Sequence, residues 1–394
     1  MAWKKCSIMD ERLKFVARVL DGESMSSLCR EFGISRKTGY KIFNRYKECG
    51  LEALQDRTRR PVRYGNQLPM QIEKCILALK QDKPSWGARK LREKLMRKYP
   101  DVKPPAMSTI HAVLDRNGLV VPRGRKRNRA TGTALSQAKM PNDLWCADYK
   151  GEFMLGSKQY CYPLTVTDQA SRYLLAVEGL QSTKEMYAFT AFERLFKEYG
   201  LPAAMRTDNG VPFASPNSLF TLSRLSVWWL RLGIQIERIQ PGHPQQNGIH
   251  ERMHLTLKKE ATRPAGQNFL QQQAKFDDFI DEFNNERPHE GLNMKYPAEV
   301  YLPSRRSYHG LPELSYPMHD RTSIVTCCGR ICIGKKKINL SQVFAGQAVG
   351  LKQIAEESWL VTFIDYDLGY FDTESSVFEP LENPFGPKVL PMCH

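Results

Sequence analysis

Asn142-Asp-Leu-Trp-Cys-Ala-Asp148-Tyr149 is where the chain changes from helical to extended texture. Leu144–Tyr149 is a short apolar run of the kind that makes a buried strand. Asp148 stands inside it. A carboxylate in such a strand costs roughly several kcal/mol to ionise unless something pairs with it. That cost marks Asp148 as a candidate functional group.

The residues that follow extend the pattern. Tyr160–Thr167 is rich in aromatic and β-branched residues, and Arg172–Val177 follows after the polar turn Asp168-Gln-Ala-Ser. Three strands with short connections predict an antiparallel meander. Thr183–Tyr199 reads as a helix, with Met186, Phe189, Phe192, Leu195, Phe196 and Tyr199 along one side. Ala203–Thr207 is a fourth strand, Ser218–Leu232 a helix, Ile234–Ile239 a fifth strand, and Gln245–Ala261 a helix. A further helix is expected around Leu270–Asn284. The order βββαβαβα predicts a mixed five-stranded sheet with helices on both faces.

In that topology the first and fourth strands lie side by side. Asp148 and Asp208, which ends the fourth strand in Met-Arg-Thr-Asp-Asn-Gly, are then adjacent, and the following helix can bring Glu251 alongside. Three converging carboxylates repel one another without a cation. Oxygen-only donors suit Mg²⁺ or Mn²⁺, and two such ions serve phosphoryl transfer. Each residue alone has a plainer reading: Asp208 as a turn former before Asn-Gly, Glu251 as a solvated helix position.

The formal net charge is +16. Residues 1–140 hold 32 Lys+Arg against 13 Asp+Glu, an excess of 19; the other 254 residues hold 26 against 29. Such asymmetry is the footprint of a nucleic-acid-binding arm. Asp10–Leu20 and Ser24–Phe32 read as helices, and a third begins at Ser35. A tight glycine turn before a helix basic at its start predicts a helix-turn-helix. Ser35, Arg36, Lys37, Tyr40 and Lys41 are its candidate DNA contacts. Met70–Gln81, a helix from Trp86 through Arg97, and a third from Ser108 to Asn117-Gly118 repeat the shape. Arg123, Arg125, Lys126 and Arg127 form a basic run suited to phosphate contacts. The ten cysteines lack the paired spacing of a zinc ribbon.

At these residues the chain resembles the insertion-sequence transposases that share a catalytic core with retroviral integrases. The stretches that carry the resemblance are Leu144-Trp-Cys-Ala-Asp148-Tyr-Lys-Gly, Leu164-Thr-Val-Thr-Asp-Gln-Ala-Ser-Arg-Tyr173 and Arg206-Thr-Asp208-Asn-Gly. Ile239-Gln-Pro-Gly-His-Pro-Gln-Gln-Asn-Gly248 then leads to Glu251-Arg, and Phe283-Asn-Asn-Glu-Arg-Pro-His289 follows. The resemblance implies an RNase H-like core and a catalytic, metal-binding triad of Asp148, Asp208 and Glu251, with two Mg²⁺ or Mn²⁺ ions. It implies an enzyme that frees a 3′-hydroxyl at its element's end and directs it at target DNA. One departure is the gap of 42 residues between Asp208 and Glu251, longer than is usual in the family. The extra length is expected to enlarge Phe213–Leu232, where Trp228 and Trp229 sit as core or interface residues. Glu237 is the poorer rival for the third acid. Asn247 is a candidate DNA contact, His243-Pro244 is expected to shape the loop that opens the Glu251 helix, His250 is expected to be structural, and Arg287-Pro-His289 reads as a capping and packing element.

The expected organisation is a multidomain chain. An all-α helix-turn-helix arm (1–50) and a basic linker (51–66) precede a second helix-turn-helix (67–122) and a second linker (123–140). The α/β RNase H-like core spans 141–302, and a small all-β barrel spans 315–385, where Ser323–Ile333, Ala348–Leu351, Trp359–Tyr366 and Gly369–Phe371 alternate as strands. Double-stranded DNA is the expected partner, with at least a dimer to join two ends. No apolar run long enough for a membrane span or signal is present, so a cytoplasmic protein is expected. Two other readings fit parts of the chain: a DNA-binding regulator with an inactive core, and a nuclease acting on RNA–DNA hybrids.

Overall fold

The computed structural model describes residues 7–56, 68–120, 135–240, 242–334, 336–375 and 377–386. The basic run Arg123, Arg125, Lys126 and Arg127 lies outside the described residues. The chain divides into two compact units, Met1–Pro69 and Met70–His394.

The first unit holds α1 (Ile8–Leu20), α2 (Met25–Glu31) and α3 (Arg36–Cys49). Ser7 caps α1 reciprocally: Asp10 N donates to its Oγ at 3.1 Å, and Ser7 N donates to Asp10 Oδ2 at 3.2 Å. Gly33, at φ +62, makes the turn between α2 and α3. Gly39 allows α3 to lie tight on its neighbours, since a Cβ there would fall 2.5 Å from Cys29 Sγ. Phe15, Val16, Leu28, Cys29 and Leu54 form the core. Leu54 belongs to a short 3₁₀ turn, Leu51–Leu54, held by Arg12, which donates to Leu54 O at 2.8 Å and pairs with Asp56 at 2.7 Å. This unit therefore runs past residue 50, where the first linker is expected.

The second unit opens with α4 (Met70–Asp82), α5 (Ala88–Lys98) and α6 (Met107–Arg116), packed around Ile76, Trp86, Leu91, Leu95, Ile110, Val113 and Leu114. Next come β1 (Leu144–Tyr149), β2 (Phe153–Met154), β3 (Tyr160–Asp168), β4 (Leu174–Leu180) and α7 (Glu185–Tyr199). They are followed by β5 (Ala204–Thr207), α8 (Arg224–Arg231), β6 (Gln235–Arg238), α9 (Gly248–Glu260) and α10 (Phe269–Asn285). The sheet runs β2-β3-β1-β5-β6, with β4 on the other side of β3. β3 is antiparallel to β1 and β4, while β1, β5 and β6 are parallel. The sheet is mixed as expected, with the short β2 as a sixth strand. α7 and α8 cover one face through Trp145, Phe192, Phe196, Met205 and Trp229. α9 and α10 cover the other through Leu174, Val177, Met253, Leu257, Phe276 and Phe283.

The expected strand Arg172–Val177 starts later, because Arg172 (φ +63) belongs to the turn. The expected helix Ser218–Leu232 is also shorter. Phe220 and Thr221 sit at φ +55, and α8 begins only after Ser223, whose Oγ accepts from Ser226 N at 3.1 Å.

The C-terminal part holds β7 (Arg321–Ile324), β8 (Arg330–Ile333), β9 (Lys336–Asn339), β10 (Ala348–Gln353), β11 (Ser358–Phe363), β12 (Tyr366–Asp372) and β13 (Phe378–Pro380). It is not a closed barrel. The order β13-β12-β11-β10-β7 leaves an open antiparallel sheet, and β8-β9 is a separate hairpin split from β7 at Gly329 (φ +77). The apolar side of this sheet is covered by Phe220, Leu222, Val227 and Leu230 of the core, so it has no need to close on itself. No helix among the described residues is long and apolar enough to cross a membrane.

Candidate active site

β1 and β5 run parallel with Cys146 opposite Arg206. Two residues further along each chain stand Asp148 and Asp208, so the equal spacing carries both carboxylates to neighbouring strand ends on the same side. Glu251 lies half-buried in the first turn of α9. Burial pushes the Asp148 carboxyl up to about 7, and the like charges of Asp208 and then Glu251 push the same way. Burial also raises Asp208, against the N–H of Gly210 at 3.1 Å. Asp148 thus stands under the negative charge of both other acids.

α9 contributes more than Glu251. Thr165 Oγ1 donates to the backbone oxygen of Asp148 at 2.9 Å, which uses its one proton. Thr165 Oγ1 itself meets His250 Nε2 at 2.8 Å and His254 Nε2 at 2.7 Å, so both imidazoles must donate to it. Thr167 Oγ1 then donates to His250 Nδ1 at 2.7 Å. The tautomers follow, and His254 is left with a lone pair on Nδ1 facing Asp148 Oδ2 at 3.8 Å. Burial holds His250 down to about 3 and His254 to about 2, so both rings are neutral. His254 therefore has no proton to offer Asp148.

That arrangement fits a cation. Asp148, His250 and His254 each offer a donor atom within 4.8 Å of the others. His250 Nδ1 and Nε2 are both engaged by threonines, which leaves Asp148 and His254 as the open donors. Two ligands about 2.1 Å from one ion can stand up to about 4.2 Å apart. Oxygens from Asp148, Asp208 and Glu251 make a donor set suited to a hard divalent ion.

His250-Glu-Arg-Met-His254 also matches the spacing of a zinc-protease helix, His-Glu-x-x-His. The structure excludes that use, because both Nε2 atoms are engaged by Thr165. The i, i+4 histidines, with threonines two apart on β3, were the available signal for this network.

The other expected site residues fall as follows. Glu237 is no third acid: it is buried in β6, pairs with Arg206 at 2.7 Å and accepts from Ser136 N at 2.7 Å. Arg206 also donates to the Ser136 and Gln246 backbone oxygens, tying β5 to the turn that opens α9. Asn247 is 5% exposed and its Oδ1 has no hydrogen-bond partner among the described residues, so the structure places it beneath the surface. Trp229 is buried, and Trp228 packs at a tilt against Phe189 and Phe196. On α3, Arg36, Lys37, Tyr40 and Lys41 are exposed along the first turns. Ser35 is occupied as the cap, its Oγ accepting from Thr38 N at 3.1 Å.

Family profiles described as an integrase core domain match residues 138–244 and 232–297. A helix-turn-helix domain matches 11–61 and a homeodomain-like domain 38–114. An insertion element IS476 protein of Xanthomonas euvesicatoria is 24% identical over 284 residues, 71% of this chain and 79% of that one. An insertion element IS407 protein of Burkholderia multivorans is 27% identical over 189 residues, 46% of this chain and 64%, just under two thirds, of that one. These matches support an insertion-sequence transposase with an integrase-like core. The Gag-Pol polyprotein of feline leukemia virus is 27% identical over 129 residues, 32% of this chain and 7% of that one. The catalytic core of HTLV-2 integrase in complex with magnesium aligns at TM-score 0.33 and 15% identity, covering 42% of this chain and 99% of that one. At that score the superposition is too loose to carry residue roles across. In this chain, Asp148 and Asp208 lie within the first integrase-core match and Glu251 within the second.

Proposed function

We propose that the chain is a DNA transposase that hydrolyses a phosphodiester to free a 3′-hydroxyl at its element's end, whose oxygen then bonds to a target phosphate as the target strand's own 3′ oxygen leaves. Asp148, Asp208 and Glu251 are the acids at the reacting phosphate. The observation that carries this is the position of Asp148, half-buried at a strand end under the charge of both other carboxylates. Mg²⁺ or Mn²⁺, two ions per site, when bound activates the attacking oxygen and stabilises the departing one.

The chain's own residues hold the geometry. The paired strands fix Asp148 and Asp208, while Thr165 anchors the Asp148 backbone and both α9 histidines in one cluster. His254 turns an acceptor toward Asp148, which keeps that carboxyl oriented as a donor to a cation. Glu251, in the first turn of α9, moves with the turn that Arg206 holds through Gln246. The exposed cationic start of α3 serves recognition of the element's ends, and two ends brought together require at least a dimer.

The deciding experiment incubates full-length protein with a pre-cut end and supercoiled plasmid in Mg²⁺. Joined product is expected from the wild type and none from Asp148→Asn. Joining that persists at the wild-type rate in Asp148→Asn overturns the assignment.

A further inference from the structure

A second cluster of cations lies apart from the acidic site, where α5 meets the segment after α10. Arg89 pairs with Glu290 at 3.4 Å and Lys94 with Glu286 at 2.8 Å. Lys90, one helical turn before Lys94, therefore faces the stretch containing Arg287 and His289. Arg172 arrives from the β3–β4 turn. Its Nη2 lies 3.9 Å from where a Cβ on Gly291 would sit. The turn is rigid: Asp168 accepts from Ser171 N at 2.8 Å, Ser171 Oγ at 2.6 Å and Asn142 N at 2.7 Å.

The charges at this junction do not balance locally. Arg287 has its own carboxylate, Glu260 at 2.6 Å, with Ser85 donating to the same oxygen. Lys90 feels the charges of Glu260 and Glu290, both already paired to arginines, and Arg172 Nη1 is buried with no hydrogen-bond partner among the described residues. Arg172 Nη1, His289 Nε2 and Trp86 Nε1 are all buried without a hydrogen-bond partner among the described residues. Burial, then the charge of Arg287, pushes Lys90 down to about 8. Burial and the charges of Lys90, Arg287 and Arg172 push His289 down to about 3. Glu290 is held by Arg89, and Asp168 by the Ser171 and Asn142 donors, so neither satisfies these cations directly. Half-burying two unmatched cations beside orphaned polar atoms is unfavourable unless an anion joins them.

We propose that Lys90, Arg172 and His289, backed by Arg287, form an oxyanion site that takes a phosphate of the DNA backbone. Guanidinium and ammonium together match the tetrahedral oxygens of a phosphodiester. Glu260, which fixes Arg287, ends the helix whose first turn carries Glu251, so one strand of DNA tracking α9 would meet both sites. The assignment to DNA rests on the transposase reading, while the anion site itself does not.

The test uses the full-length protein, Lys90→Gln, and Lys90→Gln with Arg172→Gln. Thermal melts compare inorganic phosphate with chloride at equal ionic strength, and filter binding follows duplex affinity against salt. Phosphate is expected to raise the wild-type Tm above chloride and to lose that effect in both variants. Duplex affinity is expected to fall about tenfold in the double variant, with the log–log salt slope shallower by about one per lost phosphate contact. Equal effects of phosphate and chloride on the wild type overturn the site. A phosphate effect lost in the variants with unchanged duplex affinity and slope overturns the DNA assignment and leaves free phosphate as the ligand. The phosphate melts need no DNA joining, so failure of the transposase reading shows separately, as a wild type that joins nothing. Since Lys90 lies on a helix surface, its single variant keeps the test valid where the double variant fails to fold.

Discussion

His254 presents Nδ1 to Asp148 Oδ2 across 3.8 Å, too far for a hydrogen bond and with no proton available on the nitrogen. Its Nε2 proton is committed to Thr165, and burial keeps the ring neutral. The pair is therefore no salt bridge. A neutral acceptor beside a carboxylate attracts a cation.

Removing that acceptor should weaken metal binding without unfolding the core. His254→Ala is expected to lower Mg²⁺ affinity about 10–100-fold, the usual consequence of losing a group that orients or supplements metal ligands. Isothermal titration with Mg²⁺ or Mn²⁺ reads this directly. His254→Ala binding both ions as tightly as the wild type would dismiss the role.

Asp148 makes stability depend on pH in a definite direction. Its folded-state carboxyl is raised from 3.8 to about 7, so the folded protein favours the protonated form. The resulting cost is absent below about pH 4, grows between pH 4 and 7, and is constant above. In chelator, Asp148→Asn should equal the wild type near pH 4 and exceed it by roughly 2–4 kcal/mol at pH 8. Adding Mg²⁺ at pH 8 should close the difference by stabilising only the wild type. Urea unfolding at both pH values checks it, and a wild type no weaker than Asp148→Asn at pH 8 contradicts the buried-acid geometry.

Glu237 and Glu251 were the two candidates for the third acid, and opposite phenotypes separate them. Glu237→Gln breaks a buried pair with Arg206 and should cost about 3–5 kcal/mol. Glu251→Gln, at a half-buried helix position, should leave the melting temperature in chelator within a few degrees while abolishing joining. A stable but inactive Glu237→Gln would reverse the two roles.

The acidic site was legible because strand period and strand order place Asp148 and Asp208 before any side chain is seen. His254 was harder to see: its meaning depends on Thr165, 89 residues away, which fixes its tautomer. The closed barrel failed for a related reason. Whether a small sheet closes depends on what covers it, and here Val227 and Leu230 come from a helix read as part of another domain. Asn247 read as a candidate DNA contact but is buried, although His243 and Gln245 in the same turn are exposed.

The start of α3 offers a clean test of recognition. Arg36, Lys37 and Lys41 are exposed, whereas Ser35 is committed to the cap. Alanine at all three cations should weaken binding to element ends and flatten its salt dependence. Ser35→Ala should instead cost the arm about 1 kcal/mol of stability. Footprints on end DNA unchanged by the triple substitution would remove α3 as the reader.

The positive excess of the first 140 residues is not all turned toward DNA, and Arg97 shows why. Its guanidinium lies 3.8 Å from the centroid of the Tyr296 ring, bonds Glu299 at 2.5 and 3.1 Å, and pairs with Glu93 at 3.0 Å. Lys83 and Lys94 are likewise held by Glu282 and Glu286, each at 2.8 Å. A charge count cannot tell such internal pairs from a free basic face, because the partners lie almost 200 residues away. Arg97→Ala should therefore lower stability by about 1–2 kcal/mol through lost stacking and charge-assisted bonds. Affinity for DNA and its salt slope should not change. Denaturant melts and filter binding on one preparation decide it: a stable Arg97→Ala protein with weakened DNA binding would return this helix to the DNA face.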